Sequence, residues 1–199
     1  MRLKTITRIF LPLLLLTILT PFLFAANNDH LLIGQEAPII TGKKAVGKGL
    51  LSLTKLMSDL GYKKDKNGKF VEKNGKYVFE MVRNVVVLNF FSTTCIPCMQ
   101  EIPTYNRLAE KYKDQPVNMI YVNIDPDSDP LDMQLFIARK QIKVPMMLPN
   151  QKDAIKKYDA YRLPRMVIIN KDRKIEHIIN GFNENLETEI STIVDRLLQ

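Results

Sequence analysis

The chain has 199 residues, 46% of them hydrophobic and 25% charged, with a formal net charge of +8. That length supports one domain with a proper core and excludes two large ones. The basic excess is moderate, and no RNP-like, zinc-finger or helix-turn-helix pattern accompanies it, so nothing points to a nucleic-acid partner.

Residues 1–26 read as an address. Arg2, Lys4 and Arg8 precede an apolar run over 9–26, broken only by Thr17, Thr20, Pro12 and Pro21. Ala25 and Ala26 offer small residues for cleavage, although Leu23 or Phe24 would fill the third position before the cut. The run is also long enough to span a bilayer. The segment is therefore a signal peptide or an uncleaved N-terminal membrane anchor. In both cases the charge asymmetry places residues 27–199 outside the cytoplasm, in a periplasm or on the outer face of the cytoplasmic membrane. No cysteine ends the run, which excludes lipidation there.

Residues 30–40 form a short lead-in containing Gly34 and Pro38. Over 50–60, apolar residues recur at 50, 51, 53, 56, 57 and 60, which predicts a helix ending at Gly61. Residues 62–81 hold an internal repeat, Lys66-Asn67-Gly68-Lys69 and Lys73-Asn74-Gly75-Lys76. Asn-Gly favours type I′ turns because both positions tolerate positive φ. The stretch reads as a hairpin excursion, too short to bury a core alone.

The run VVVLNFF over 85–91 predicts a buried central strand. A helix follows over 97–113, with Pro97 in its first turn and Pro103 further in, where a kink is expected. Next come a strand over 117–124, a turn-rich loop over 125–130 and helices over 131–141 and 151–158. Strands over 166–170 and 175–180 share the turn 171–174, and an amphipathic helix closes the chain over 185–198. The first two strands, linked by a helical crossover, should be parallel; the last two, linked by a tight turn, antiparallel.

Only two cysteines are present, Cys95 and Cys98. A bridge closing so small a loop removes little chain entropy, so it is a poor staple. Zinc needs more ligands than the remaining His30 and His177 supply, and no metal is expected. A cysteine between a buried strand and a helix N-terminus is placed for reactivity, because the first turn's free N–H groups stabilise a thiolate. Cys95 is then the nucleophile. Cys98, one turn into the helix, is the resolving thiol.

The segment Phe90-Phe91-Ser92-Thr93-Thr94-Cys95-Ile96-Pro97-Cys98-Met99-Gln100-Glu101-Ile102-Pro103 resembles the active-site segment of thioredoxin-like proteins, most nearly the exported TlpA/ResA type. Downstream, Tyr158-Asp159-Ala160-Tyr161-Arg162-Leu163-Pro164-Arg165 is similar to that family's segment with a cis-proline facing the disulfide, and Asn170–Ile175 to its following turn. Gly34–Pro38 is similar to its lead-in. The resemblance implies an α/β thioredoxin fold, a mixed central sheet flanked by helices, with an N-terminal extension and a family-atypical hairpin/helix insertion over 43–81. It implies a cis Pro164 that forms, with Leu163, a platform for substrate backbone. It also implies a proton-shuttling role for Glu101, three residues past Cys98 and on its helix face; the alternative is a solvated acid that merely suits the helix dipole.

Three departures stand out. Thr94 replaces the family's usual tryptophan; the chain has none. Asn89 stands where thioredoxins keep a buried Asp, and cannot titrate. Arg165 follows Pro164 where Thr is common: near the thiolate it would lower the Cys95 pKa, and otherwise it is a solvated surface residue.

Function by this reading is thiol-disulfide exchange with no cofactor beyond the cysteine pair. Ile96–Pro97 carries no histidine, which leans toward reduction. The resemblance implies reduction of cysteine-containing exported proteins, apocytochrome c among them, with electrons from a membrane thiol relay. The alternatives are a disulfide-donating oxidase, a peroxiredoxin-like peroxidase, and a non-catalytic thioredoxin-fold binding module. A peroxidase would want Pro in place of Leu88 and Thr in place of Ser92. Sco-type copper delivery would need C-x-x-x-C, which is absent.

Overall fold

The computed structural model describes Leu31 and residues 33–199; the predicted signal or anchor segment and His30 lie outside the described residues. The chain runs β1 (Thr41–Lys44), β2 (Leu50–Ser52), α1 (Leu53–Leu56), β3 (Ser58–Tyr62), β4 (Glu72–Lys73), β5 (Lys76–Tyr77), β6 (Phe79–Arg83) and β7 (Val85–Phe91). It continues through α2 (Ile96–Tyr112), β8 (Val117–Asn123), α3 (Pro130–Lys140), β9 (Met146–Pro149), α4 (Gln151–Tyr158), β10 (Arg165–Ile169), β11 (Ile175–Asn180) and α5 (Leu186–Leu198).

One seven-stranded mixed sheet in the order β11-β10-β7-β8-β9-β1-β2 carries the fold. β7 is an interior strand between β10 and β8, and all seven of its residues are buried. Its β-branched and aromatic side chains alternate between two apolar layers, as the period of two requires. Val85, Val87 and Phe91 enter the layer that holds Tyr105 and Leu108 of α2 and Ile190 and Val194 of α5. Val86, Leu88 and Phe90 enter the opposite layer with Leu53, Ala154 and Tyr158. As expected, β7 and β8 are parallel and β10 and β11 antiparallel. This is the thioredoxin-type architecture, a mixed sheet covered by helices on both faces.

The helix expected over 50–60 is a correction. Only Leu53–Leu56 is helical, a single turn capped by Ser52, whose hydroxyl accepts the Lys55 N–H at 3.3 Å. Leu53 and Leu56 are buried by that turn. Ser58–Tyr62 then pairs antiparallel with Phe79–Arg83, and Gly61 lies inside this strand instead of ending a helix. A Cβ there would come within 2.7 Å of the Val82 side chain. Strand pairing with a distant partner overrides the local 3.6-residue pattern.

Segment 43–81 divides in two. Its first part joins the main sheet: Gly42, Lys43 and Lys44 of β1 face Pro149, Leu148 and Met147 of β9, and β2 extends the edge. Its second part, β3 to β6, leaves as an arm. At its tip the Asn74-Gly75 turn has φ of 54° and 71°, the type I′ signature that joins β4 to β5. The other repeat is built differently. Gly68 has φ 80°, and Asp65 accepts the N–H groups of Asn67 and Lys69 at 2.8 and 2.9 Å.

Candidate active site

The site is built where β7 ends. After Phe91, residues Ser92, Thr93 and Thr94 turn the chain into α2, and Cys95 is the N-cap residue of that helix. The Cys98 N–H points at Cys95 Sγ at 3.2 Å, so the first turn donates to the sulfur as a thiolate would require. The two cysteines form a disulfide across Cα atoms 5.3 Å apart. Cys95 is half-buried, whereas Cys98 is only 1% exposed. That asymmetry leaves one sulfur that a partner can reach and one that it cannot. Pro97 occupies the first turn, and the helix continues through Pro103 to Tyr112.

The turn before Cys95 is held from the neighbouring strand. Asp125, just past β8, accepts hydrogen bonds from the Ser92 hydroxyl, the Thr93 N–H (2.8 Å) and the Asn123 side-chain amide (2.9 Å). Asn123 in turn accepts the Asp125 N–H and the Ser128 hydroxyl, both at 2.8 Å. Burial pushes the Asp125 carboxyl up, but these donors outweigh it and leave its pKa below the usual range. Asp125 and Asn123 were not legible as site residues; the only signal was a turn-rich loop following a strand.

Glu101 is 2% exposed. Its Oε1 accepts the Asn183 N–H at 3.4 Å, and Oε2 has no hydrogen-bond partner among the described residues. Burial pushes its pKa up to about 7, with the Asn183 bond opposing weakly. The solvated-acid alternative is therefore corrected, because this carboxyl is inside the protein. Tyr121 presents a buried hydroxyl that is likewise unpaired, and burial together with the Glu101 charge raises its pKa. Asn89, on the α2-facing side of β7, is fully buried with both amide atoms unpartnered among the described residues. Asn183 and Tyr121 are further residues that sequence reasoning missed, since they reach Glu101 only through the tertiary fold.

The Leu163–Pro164 peptide is cis. Pro164 leads directly into β10, whose first residue, Arg165, faces Phe90 of β7. Leu163 and Cys95 both pack against the α2-side core. The structure thus brings Leu163 and Pro164 to the end of β7 from which Cys95 follows. The Pro164 carbonyl accepts the Gly181 N–H at 2.8 Å.

Arg165 is not a solvated surface residue. It is 6% exposed, and its guanidinium bonds the Tyr158 carbonyl (2.7 Å), the Asn180 side chain (2.5 Å) and, at 3.6 Å, Asp159. Its charge is committed to tying α4 to β10 and β11. His177 pairs with Glu189 at 2.7 Å. Among the described residues no group of three His, Cys, Asp or Glu could hold a metal ion.

Comparisons with known proteins agree with this geometry. The Redoxin family profile matches residues 65–196. The thiol-disulfide oxidoreductase ResA of Geobacillus thermodenitrificans (strain NG80-2) is 30% identical over 145 residues, 73% of this chain and 76% of the relative. The ResA protein of Bacillus thuringiensis subsp. konkukian (strain 97-27) is 34% identical over 110 residues. That alignment covers 54% of this chain and 62% of the relative, less than two thirds of the relative's length. Among solved structures, a putative thiol:disulfide interchange protein DsbE from Chlorobium tepidum superposes with a TM-score of 0.65 at 19% identity, covering 85% of this chain and 99% of that one. A thiol:disulfide interchange protein from Bacteroides sp. gives 0.62 at 18% identity, covering 83% and 91%. At such identities these two report the fold alone. Sequence match, sheet topology and the cysteine-capped helix agree: the chain belongs to the Redoxin family of thioredoxin-fold proteins and, within it, to the ResA-type thiol-disulfide oxidoreductases.

Proposed function

We propose that this chain is an extracytoplasmic thiol-disulfide exchange protein that reduces disulfides in cysteine-containing partner proteins. The observation that carries the reading is the asymmetric cysteine pair at the N-terminus of α2, with a buried carboxyl one turn beyond it.

In the dithiol form, the Cys95 thiolate attacks one sulfur of a partner disulfide. The partner S–S bond breaks, a mixed disulfide forms, and the displaced partner thiolate takes up a proton. Cys98 then loses its proton to the Glu101 carboxylate and attacks Cys95 Sγ. The second partner sulfur leaves as a thiolate and is protonated in turn. Two electrons have passed to the partner, and Cys95–Cys98 is oxidised. A pKa of about 7 suits Glu101 to both halves of this proton transfer. Leu163 and Pro164 supply the edge on which an extended partner segment lies. A membrane thiol relay returns the electrons, and the disulfide of an apocytochrome c is one substrate that the family resemblance implies.

The reduction potential of the Cys95–Cys98 pair, equilibrated in the full chain against glutathione or dithiothreitol, tests the direction. Reduction predicts a value near or below about −270 mV; a value near about −120 mV would make the protein a disulfide donor instead.

A further inference from the structure

The arm formed by β3 and β6 has two unlike faces. Leu60 pairs with Met81 and Tyr62 with Phe79, so alternation puts these four on one face. Asp59, Gly61, Glu80 and Val82 occupy the other. Near the tip, the rings of Phe70 and Tyr77 each lie 5.5 Å from that of Tyr62 and so extend the apolar face. The rings touch one another, and nothing among the described residues covers them. Each is about half exposed, and Leu60 and Met81 are 68% and 63% exposed. A contiguous apolar patch of this kind on a soluble domain marks a contact surface.

Charge gathers at the same tip. Residues 63–76 include six lysines, at 63, 64, 66, 69, 73 and 76, against only Asp65 and Glu72. Asp65 is occupied by backbone N–H groups of its own turn. The Lys64 ammonium sits 5.5 Å from the centroid of the Phe70 ring. Aromatic rings rimmed by lysine are the chemistry of a lipid headgroup interface, where rings settle at the acyl boundary and ammonium groups meet phosphate. A second copy docking through the same face with the arms parallel would bring one lysine-rich tip against another, which is repulsive.

Topology sets where this face points. β7 starts at Val85, beside the arm's base, and ends at Phe91, just before the cysteines; seven strand residues span about 20 Å. Ile169 faces Val86, so the turn after β10 lies at the arm's end of β7. That turn holds the arm through Arg83–Asp172 at 2.8 Å and holds the lead-in through the Arg173–Glu36 pair and the Ala37 N–H to the Arg173 carbonyl, 2.7 Å. The described chain therefore enters the domain at the arm's end. In sequence, the apolar run 9–26 stops just ahead of Leu31.

We propose that the aromatic face of the arm docks on an anionic phospholipid bilayer and holds the domain with Cys95 turned away from the membrane. The proposal is independent of the direction or rate of thiol exchange.

The absence of tryptophan makes the test clean. The full chain carrying Tyr77→Trp is reconstituted, one copy per nanodisc, in phosphatidylcholine with or without phosphatidylglycerol. Tyr161→Trp, exposed at the cysteine end, is the reference. In anionic discs the indole at position 77 should shift its emission to the blue and be quenched by acyl-chain bromines, while the indole at 161 stays solvent-like. Lys→Gln changes at 66, 69, 73 and 76 should each lower the docked-to-free ratio about fivefold. Circular dichroism and thiol-exchange activity of the variants check that the fold survives. The proposal is overturned if position 77 remains solvent-like in anionic discs, or docks equally in neutral ones. It is also overturned if the indole becomes buried without bromine quenching, which would mean a protein occupant.

Discussion

At the residue scale, the buried Glu101 carboxyl is where the fold and the proposed chemistry meet. Between pH 4.5 and about 7 the folded chain keeps a proton on this carboxyl that the unfolded chain has already released. Stability therefore falls as pH rises through that window, by about 3 kcal/mol in all. Glu101→Gln should abolish that decline, so urea unfolding of the two proteins at pH 4 and pH 8 should differ in its pH dependence by that amount. The same variant should slow resolution of a mixed disulfide about a hundredfold while the fold persists; unchanged stopped-flow kinetics would remove Glu101 from the mechanism. Asp125 acts one step back, through the Ser92–Thr93 turn. Asp125→Ala leaves the Thr93 N–H without its acceptor, costing about 2 kcal/mol. It should raise the hydrogen-exchange rate of that amide and slow exchange at Cys95 without altering the Cys98 environment.

At the element scale, the strands that complete the sheet edge depend on close approach more than on propensity. Gly42 of β1 faces Pro149, and a Cβ at position 42 would lie 2.5 Å from the Leu148 backbone. Gly42→Ala should force β1 away from β9 and lower stability by about 1–3 kcal/mol, read from the denaturation midpoint. This is also why β1 and β9 were invisible in sequence. Thr-Gly-Lys-Lys has little strand propensity, and Met-Met-Leu-Pro is short and ends in proline. By contrast β7, with its continuous VVVLNFF run, was legible to the residue, as were α4 and β11. The helix expected over 50–60 failed because its apolar spacing serves one buried turn and then a strand whose partner lies some twenty residues later.

At the scale of the whole molecule, Arg165 shows how the site is held in place. It joins the end of α4 to both strands that follow Pro164. Arg165→Leu leaves the Tyr158 carbonyl and the Asn180 side chain without this donor and should cost about 3 kcal/mol in chemical denaturation. Arg165→Lys should recover only part of it, because an ammonium cannot reproduce the forked contacts. The two ends of β7 divide the labour of the domain. Cysteines, cis-proline and buried carboxyl gather past Phe91, while the lead-in and the aromatic arm gather at Val85.

The sequence by itself determined the cysteine pair, the strand and helix that flank it and the pairing sense of β7 with β8 and β10 with β11. Those features rest on local patterns: residue spacing, strand periodicity and connection length. It also pointed to Glu101 and Pro164 through family resemblance. Only the tertiary structure decided that Glu101 is buried, that Asp125 braces the turn before Cys95 and that Arg165 is internal. Burial and partnership depend on which distant segments the sheet order brings together, and a lone acid or arginine in a sequence carries no mark of its eventual neighbours.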